Sequence, residues 1–105
     1  MDFTQIEGRR GQVTDIDILA GIGGDCQRCP VALAVGRMFR GYQIHIDVVE
    51  VDIHKDGKSL VKLLVTNNLF KWIDTFDNEN VVAPVELIIR QSDDKDFDYE
   101  LAIAA

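Results

Sequence analysis

Apolar positions fall in two distinct periods along this chain, and the changes between them divide it into elements. Thr14-Asp15-Ile16-Asp17 is a Thr-x-x-Asp start, with two carboxylates in the first turn where the helix dipole favours them. A short helix over about 15–20 follows, closed by Gly21. Gly21-Ile22-Gly23-Gly24-Asp25 is a loop, and Pro30 suits the first turn of the next helix, which makes Cys29 its N-cap. Val31, Ala34, Val35 and Met38 then recur at helical spacing and form its buried stripe, ended by Gly41.

From Tyr42 the period becomes two. Tyr42-Gln43-Ile44-His45-Ile46-Asp47-Val48 alternates as a half-buried strand does, and Val51 and Ile53 resume the alternation in the opposite phase. One straight strand over 42–54 would run about 43 Å, too long for a domain whose radius of gyration should be about 13 Å. A bulge or bend is therefore expected at Val48-Val49. Asp56-Gly57 signals a hairpin into a strand over 60–65. Asn67 or Asn68 can cap a third helix whose apolar face is Leu69, Trp72, Ile73 and Phe76, with Trp72 read as core. Val85, Leu87 and Ile89 after Pro84, then Phe97, Tyr99, Leu101 and Ile103, make a C-terminal hairpin around the turn at Ser92-Asp93-Asp94-Lys95. The fold predicted is α+β: a single domain over 1–105, with an antiparallel sheet of four to five strands and two longer helices packed on one face.

The charge is uneven. Residues 1–40 carry five basic and five acidic side chains, whereas 41–105 carry six basic and thirteen acidic, so the whole net charge of −7 sits in the second part. That balance argues against direct binding to nucleic acid or anionic membranes and leaves a basic protein partner open. No cationic start with an apolar run opens the chain, and no apolar run is long enough to span a bilayer, so a cytoplasmic location is expected.

Chemistry concentrates in few places. Cys26 and Cys29 form a Cys-x-x-Cys before a helix. That spacing is read as structural cysteine, as half of a zinc site, or as a redox pair. A zinc site would have to recruit His45 and His54, the only histidines, whose spacing matches no zinc finger. His45, Asp47, Glu50, Asp52 and His54 share one face if the bulge falls at Val48-Val49; such a face holds a divalent metal or is the ordinary solvated side of a sheet. Arg28, Arg37 and Arg40, with Asp47, Glu50 and Asp52, are the candidate interaction surface. The glycine loop lacks the Lys-Ser/Thr of a phosphate loop, and Ser59 and Ser92 both lie in turns, which excludes a serine hydrolase.

Val13-Thr14-Asp15-Ile16, Gly21, Gly24-Asp25-Cys26 and above all Cys29-Pro30-Val31-Ala32-Leu33-Ala34 resemble a group of small proteins of unknown function from tailed bacteriophages and prophages. Phe76-Asp77 and Ala83-Pro84-Val85-Glu86 extend the likeness, which covers roughly 13–89 and leaves out the last strand. The resemblance implies a phage origin and action in the host cytoplasm, and brings no catalytic residues with it. The function expected is that of a non-enzymatic accessory protein that binds another protein, a host protein or a second copy of itself, without a cofactor. The alternatives are a zinc-binding domain using Cys26, Cys29, His45 and His54, and a nucleic-acid mimic using the acidic second part.

Overall fold

The computed structural model describes residues 3–104. The radius of gyration is 12.6 Å, close to the value expected from length. After a 3-10 turn at Phe3–Gln5 come β1 (Arg10–Val13), α1 (Asp15–Ala20), α2 (Pro30–Met38), β2 (Gln43–Ile46), β3 (Glu50–Lys55), β4 (Lys58–Val65), α3 (Asn67–Asp77), β5 (Val85–Gln91) and β6 (Tyr99–Ile103). The strands form one sheet in the order β1-β5-β6-β4-β3-β2. Every neighbouring pair is antiparallel except β4 and β6, which run parallel.

The α+β class holds, and the count and orientation differ from expectation: six strands, one pair of them parallel. β1 escapes sequence reading because Arg10-Gly11-Gln12-Val13 has no alternation, and only Val13 is fully buried. The segment over 42–54 is not a bent strand with a bulge at Val48-Val49. It is a hairpin, turned where Asp47 Oδ1 accepts the backbone N–H groups of Val49 and Glu50 at 2.7 and 2.9 Å. That turn pairs Ile46 with Val51 and Ile44 with Ile53, which explains the phase reversal while keeping all four on one face. The register shift lies instead between Ile53 and His54, where β4 has Leu60 in excess.

The capping box forms as expected: Thr14 Oγ1 accepts from Asp17 N–H at 3.2 Å, and Asp17 Oδ2 accepts from Thr14 N–H at 2.8 Å. Asp17 is also only 3% exposed, with its Oδ1 taking a hydrogen bond from Arg37 Nη1 at 2.7 Å. Arg37 Nη2 reaches the same carboxylate and the Gln12 carbonyl, so one guanidinium ties α2 to both α1 and β1. In α3 the N-cap is Thr66, one residue ahead of the asparagines expected, and Thr66 Oγ1 donates to Asn68 Oδ1 at 2.6 Å.

The core lies between one face of the sheet and the helices. Val13, Ile44, Ile46, Val51, Ile53, Leu63, Val65, Leu87, Ile89 and Leu101 meet Val31, Ala34 and Val35 of α2 and Leu69 and Ile73 of α3. Trp72 joins the edge of this cluster, stacked on Phe76 with its indole N–H on the Ala83 carbonyl at 2.9 Å. Alanine residues in α2 allow close approach, and Gly21 does the same ahead of it. A Cβ at Gly21 would stand 2.6 Å from the Pro30 ring and 2.8 Å from the Asp17 carbonyl oxygen. Gly21→Ala is expected to destabilise by about 1–3 kcal/mol. Gly11→Ala should cost less, because the clashing atoms there belong to the flexible Met38 side chain. Urea unfolding of the two variants beside the parent checks the order.

Candidate functional site

Two concave regions flank the loop that joins α1 to α2. The loop itself is built by local bonds. Ile22 N–H reaches the Arg28 carbonyl at 2.9 Å, Cys29 N–H reaches the Asp25 carbonyl at 3.0 Å, and Asp25 Oδ1 accepts from the N–H groups of Gln27 and Arg28. Its apex is fastened to the sheet where Ile46 N–H, on the free edge of β2, donates to the Cys26 carbonyl at 2.8 Å. That bond brings Cys26 beside the residue preceding Ile46, and the Cys26 Sγ to His45 Nε2 distance is 3.0 Å.

The two cysteines have different environments. Cys26 is half-buried, and Cys29 is 5% exposed with its Sγ accepting the N-cap hydrogen bond from Ala32 N–H at 3.4 Å. Burial pushes the Cys29 thiol up; the Ala32 and Val31 N–H groups pull it down by less, and the Asp77 and Asp25 carboxylates add to the rise. Both cysteines line a cavity of about 330 Å³ with Gly24, Asp25, Ile46, Asp47, Val48, Ile73 and Asp77. His54 pairs with Gln43 at the other end of the hairpin from His45 and Cys26. Among the described residues, no three His, Cys, Asp or Glu side chains are grouped to hold a metal ion.

The residues proposed for an interaction surface are dispersed. Arg28 and Arg40 are exposed, while Arg37 is committed to Asp17 and Gln12 within the chain. Asp47 holds its turn, Glu50 faces Lys62 at 3.4 Å, and Asp52 accepts from the Ser59 hydroxyl. His45, Glu50, Asp52 and His54 do share the outer face of the sheet, by hairpin pairing and not by a bulge. Further along that face Glu86 pairs with Arg10 and Glu100 with Arg90, so carboxylates and cations alternate across it.

A second groove, of about 650 Å³, lies between the α1–α2 loop and the segment after α3. Its walls are Ile18, Gly21, Ile22, Gly23, Phe76, Asp77, Glu79, Asn80, Val81 and Val82. Val81 is 97% exposed, and α1 leaves Leu19 at 86% and Ile16 at 75% exposed. These residues carry little sequence signal. Val81-Val82 sits in a polar stretch with no partner period, and Ile16 and Leu19 lie three apart on a six-residue helix whose buried side chain is Asp17.

No family model, no curated protein and no solved structure matches the chain.

Proposed function

We propose that this is a non-enzymatic binding domain whose contact surface is the groove between the α1–α2 loop and the segment after α3. The observation that carries the reading is the apolar rim: Ile22 and Val81 stand in solvent around a depression, walled also by Ile18, Phe76 and Val82, that the chain's own core does not fill. Apolar side chains grouped at a concavity mark a contact site, whereas single exposed ones do not. Both ionisable residues in the groove wall, Asp77 and Glu79, are acidic. The matching partner is a protein segment that offers one or two large apolar anchors with lysine or arginine beside them. The phage-protein resemblance of Cys29–Ala34 gives that partner a host origin under this reading.

Selection of random displayed peptides on the immobilised protein tests it. Apolar anchors flanked by basic residues should be enriched, and an Ile22→Asp, Val81→Glu double variant should lose the enriched peptides. The loss should be about 2 kcal/mol or more in binding free energy, the size of a central contact. Both positions are exposed, so the variant should unfold at the same urea concentration as the parent. Enrichment of acidic peptides, or retention of the peptides by the variant, would overturn the reading.

A further inference from the structure

The cavity beside the β2 edge has a feature that the binding groove does not use: a thiol with an imidazole in contact. We propose that Cys26 is a thiol–disulfide exchange site for small disulfides of neutral or positive charge, with His45 as the group that takes the thiol proton. The proposal is independent of the groove.

Three observations converge. Cys26 Sγ lies 3.0 Å from His45 Nε2, within reach of proton transfer. In the tautomer with hydrogen on Nδ1, Nε2 is the acceptor. Cys26 also opens onto a cavity of about 330 Å³, room for a small disulfide beside the sulfur. Finally, the charged side chains of that cavity, Asp25, Asp47 and Asp77, are all carboxylates, and Asp52 stands opposite His45 in the β2–β3 ladder. Asp25, Asp47 and Asp77 each accept backbone N–H groups through Oδ1. Carboxylates around the thiol disfavour an acyl group, whose attack builds an oxyanion, and favour an incoming cation.

The step balances within these groups. The Cys26 thiol gives its proton to His45 Nε2, and its sulfur attacks one sulfur of the disulfide in line with the S–S bond. A new bond from Sγ forms, the old S–S bond breaks, and its electron pair leaves on the distal sulfur, which takes the proton from His45. Cys26 is oxidised to a mixed disulfide while half of the reagent is reduced to a free thiol. Cys29 is held apart from this chemistry by its burial and its N-cap bond.

The test uses the full chain at low salt with cystamine and with glutathione disulfide, followed by intact mass and peptide mapping. It is repeated in Cys29→Ser, where serine keeps the N-cap. One cysteamine should add at Cys26, at least about tenfold faster than to the urea-unfolded chain. The preference for cystamine over glutathione disulfide should exceed that of the unfolded chain by a similar factor. His45→Ala should slow the reaction about tenfold or more, and added imidazole should restore part of the rate, which a merely structural role for His45 would not permit. Equal rates folded and unfolded, an unaltered rate in His45→Ala, addition at Cys29, or preference for the glutathione reagent would each overturn the assignment.

Discussion

Leu101→Ala should lower the free energy of unfolding by about 3–5 kcal/mol, the upper part of the range for a large apolar side chain removed from a core. Leu101 is fully buried in β6, opposite Ile89 of β5 on one side and Val65 of β4 on the other. Both neighbours are strands fixed by their own ladders, so the walls of the cavity left by the missing isopropyl group have little freedom to collapse. The measurement is urea unfolding followed by Trp72 fluorescence and by far-ultraviolet circular dichroism, with coincident transitions required. A loss under 1 kcal/mol would mean that the sheet is held elsewhere. A net stability of 5–15 kcal/mol is usual for a domain, so the variant should be visibly sensitive to temperature.

The second large effect is expected at the Asp17–Arg37 pair. Arg37→Met keeps much of the side-chain stem and removes the charge, leaving a carboxylate that is 3% exposed with only the Thr14 N–H and its own charge to accommodate. Breaking a fully buried pair from one side costs about 3–5 kcal/mol. The Arg37 side chain is 44% exposed, so screening lowers the expected loss here to about 2–3 kcal/mol. The pH dependence gives an independent check. Burial pushes the Asp17 carboxyl up, but the Arg37 hydrogen bonds, the Thr14 N–H and the Arg37 charge outweigh it and hold the group below its ordinary 3.8. A carboxyl lowered by folding contributes stability above 3.8, and that contribution is lost as pH falls through the lowered folded value. In Arg37→Met burial is opposed only by the Thr14 bonds and the group protonates more readily than in the parent, so the gap between parent and variant should narrow as pH falls toward and below 3.8. A gap that is constant with pH would show that the loss comes from packing of the stem.

What was legible in the sequence is what is local. The capping box at Thr14 and Asp17, the Cys29 N-cap before Pro30, the Asp56-Gly57 hairpin and the β5–β6 pair all form between residues close in the chain. β1 and the parallel β4–β6 pair were hidden because their partners are remote: Val13 meets Val85, and Leu63 meets Tyr99. The turn at Asp47 contains neither glycine nor proline, and a side-chain carboxylate does the work that those residues usually signal. At the candidate site the cysteines stood out by spacing, but the partner of Cys26 did not. His45 reaches it only because the Ile46 N–H is bonded to the Cys26 carbonyl across the sheet edge. Arg37, grouped by sequence with a surface for partners, is instead tied to a buried aspartate of its own chain that composition alone would leave in solvent.

The position of β6 has a kinetic consequence. β2, β3 and β4 follow one another and can zip together through two short turns, while β1 and β5 must find each other across most of the chain. β6 is the strand that joins the two groups, and it is the last to leave the ribosome. A contact between early and late parts of a chain closes slowly, because a long loop must be ordered before the contact repays it. Until Tyr99–Ile103 arrives, β4 and β5 each keep an unpaired edge with an apolar face, and a nascent or truncated chain is therefore a template for pairing with other copies.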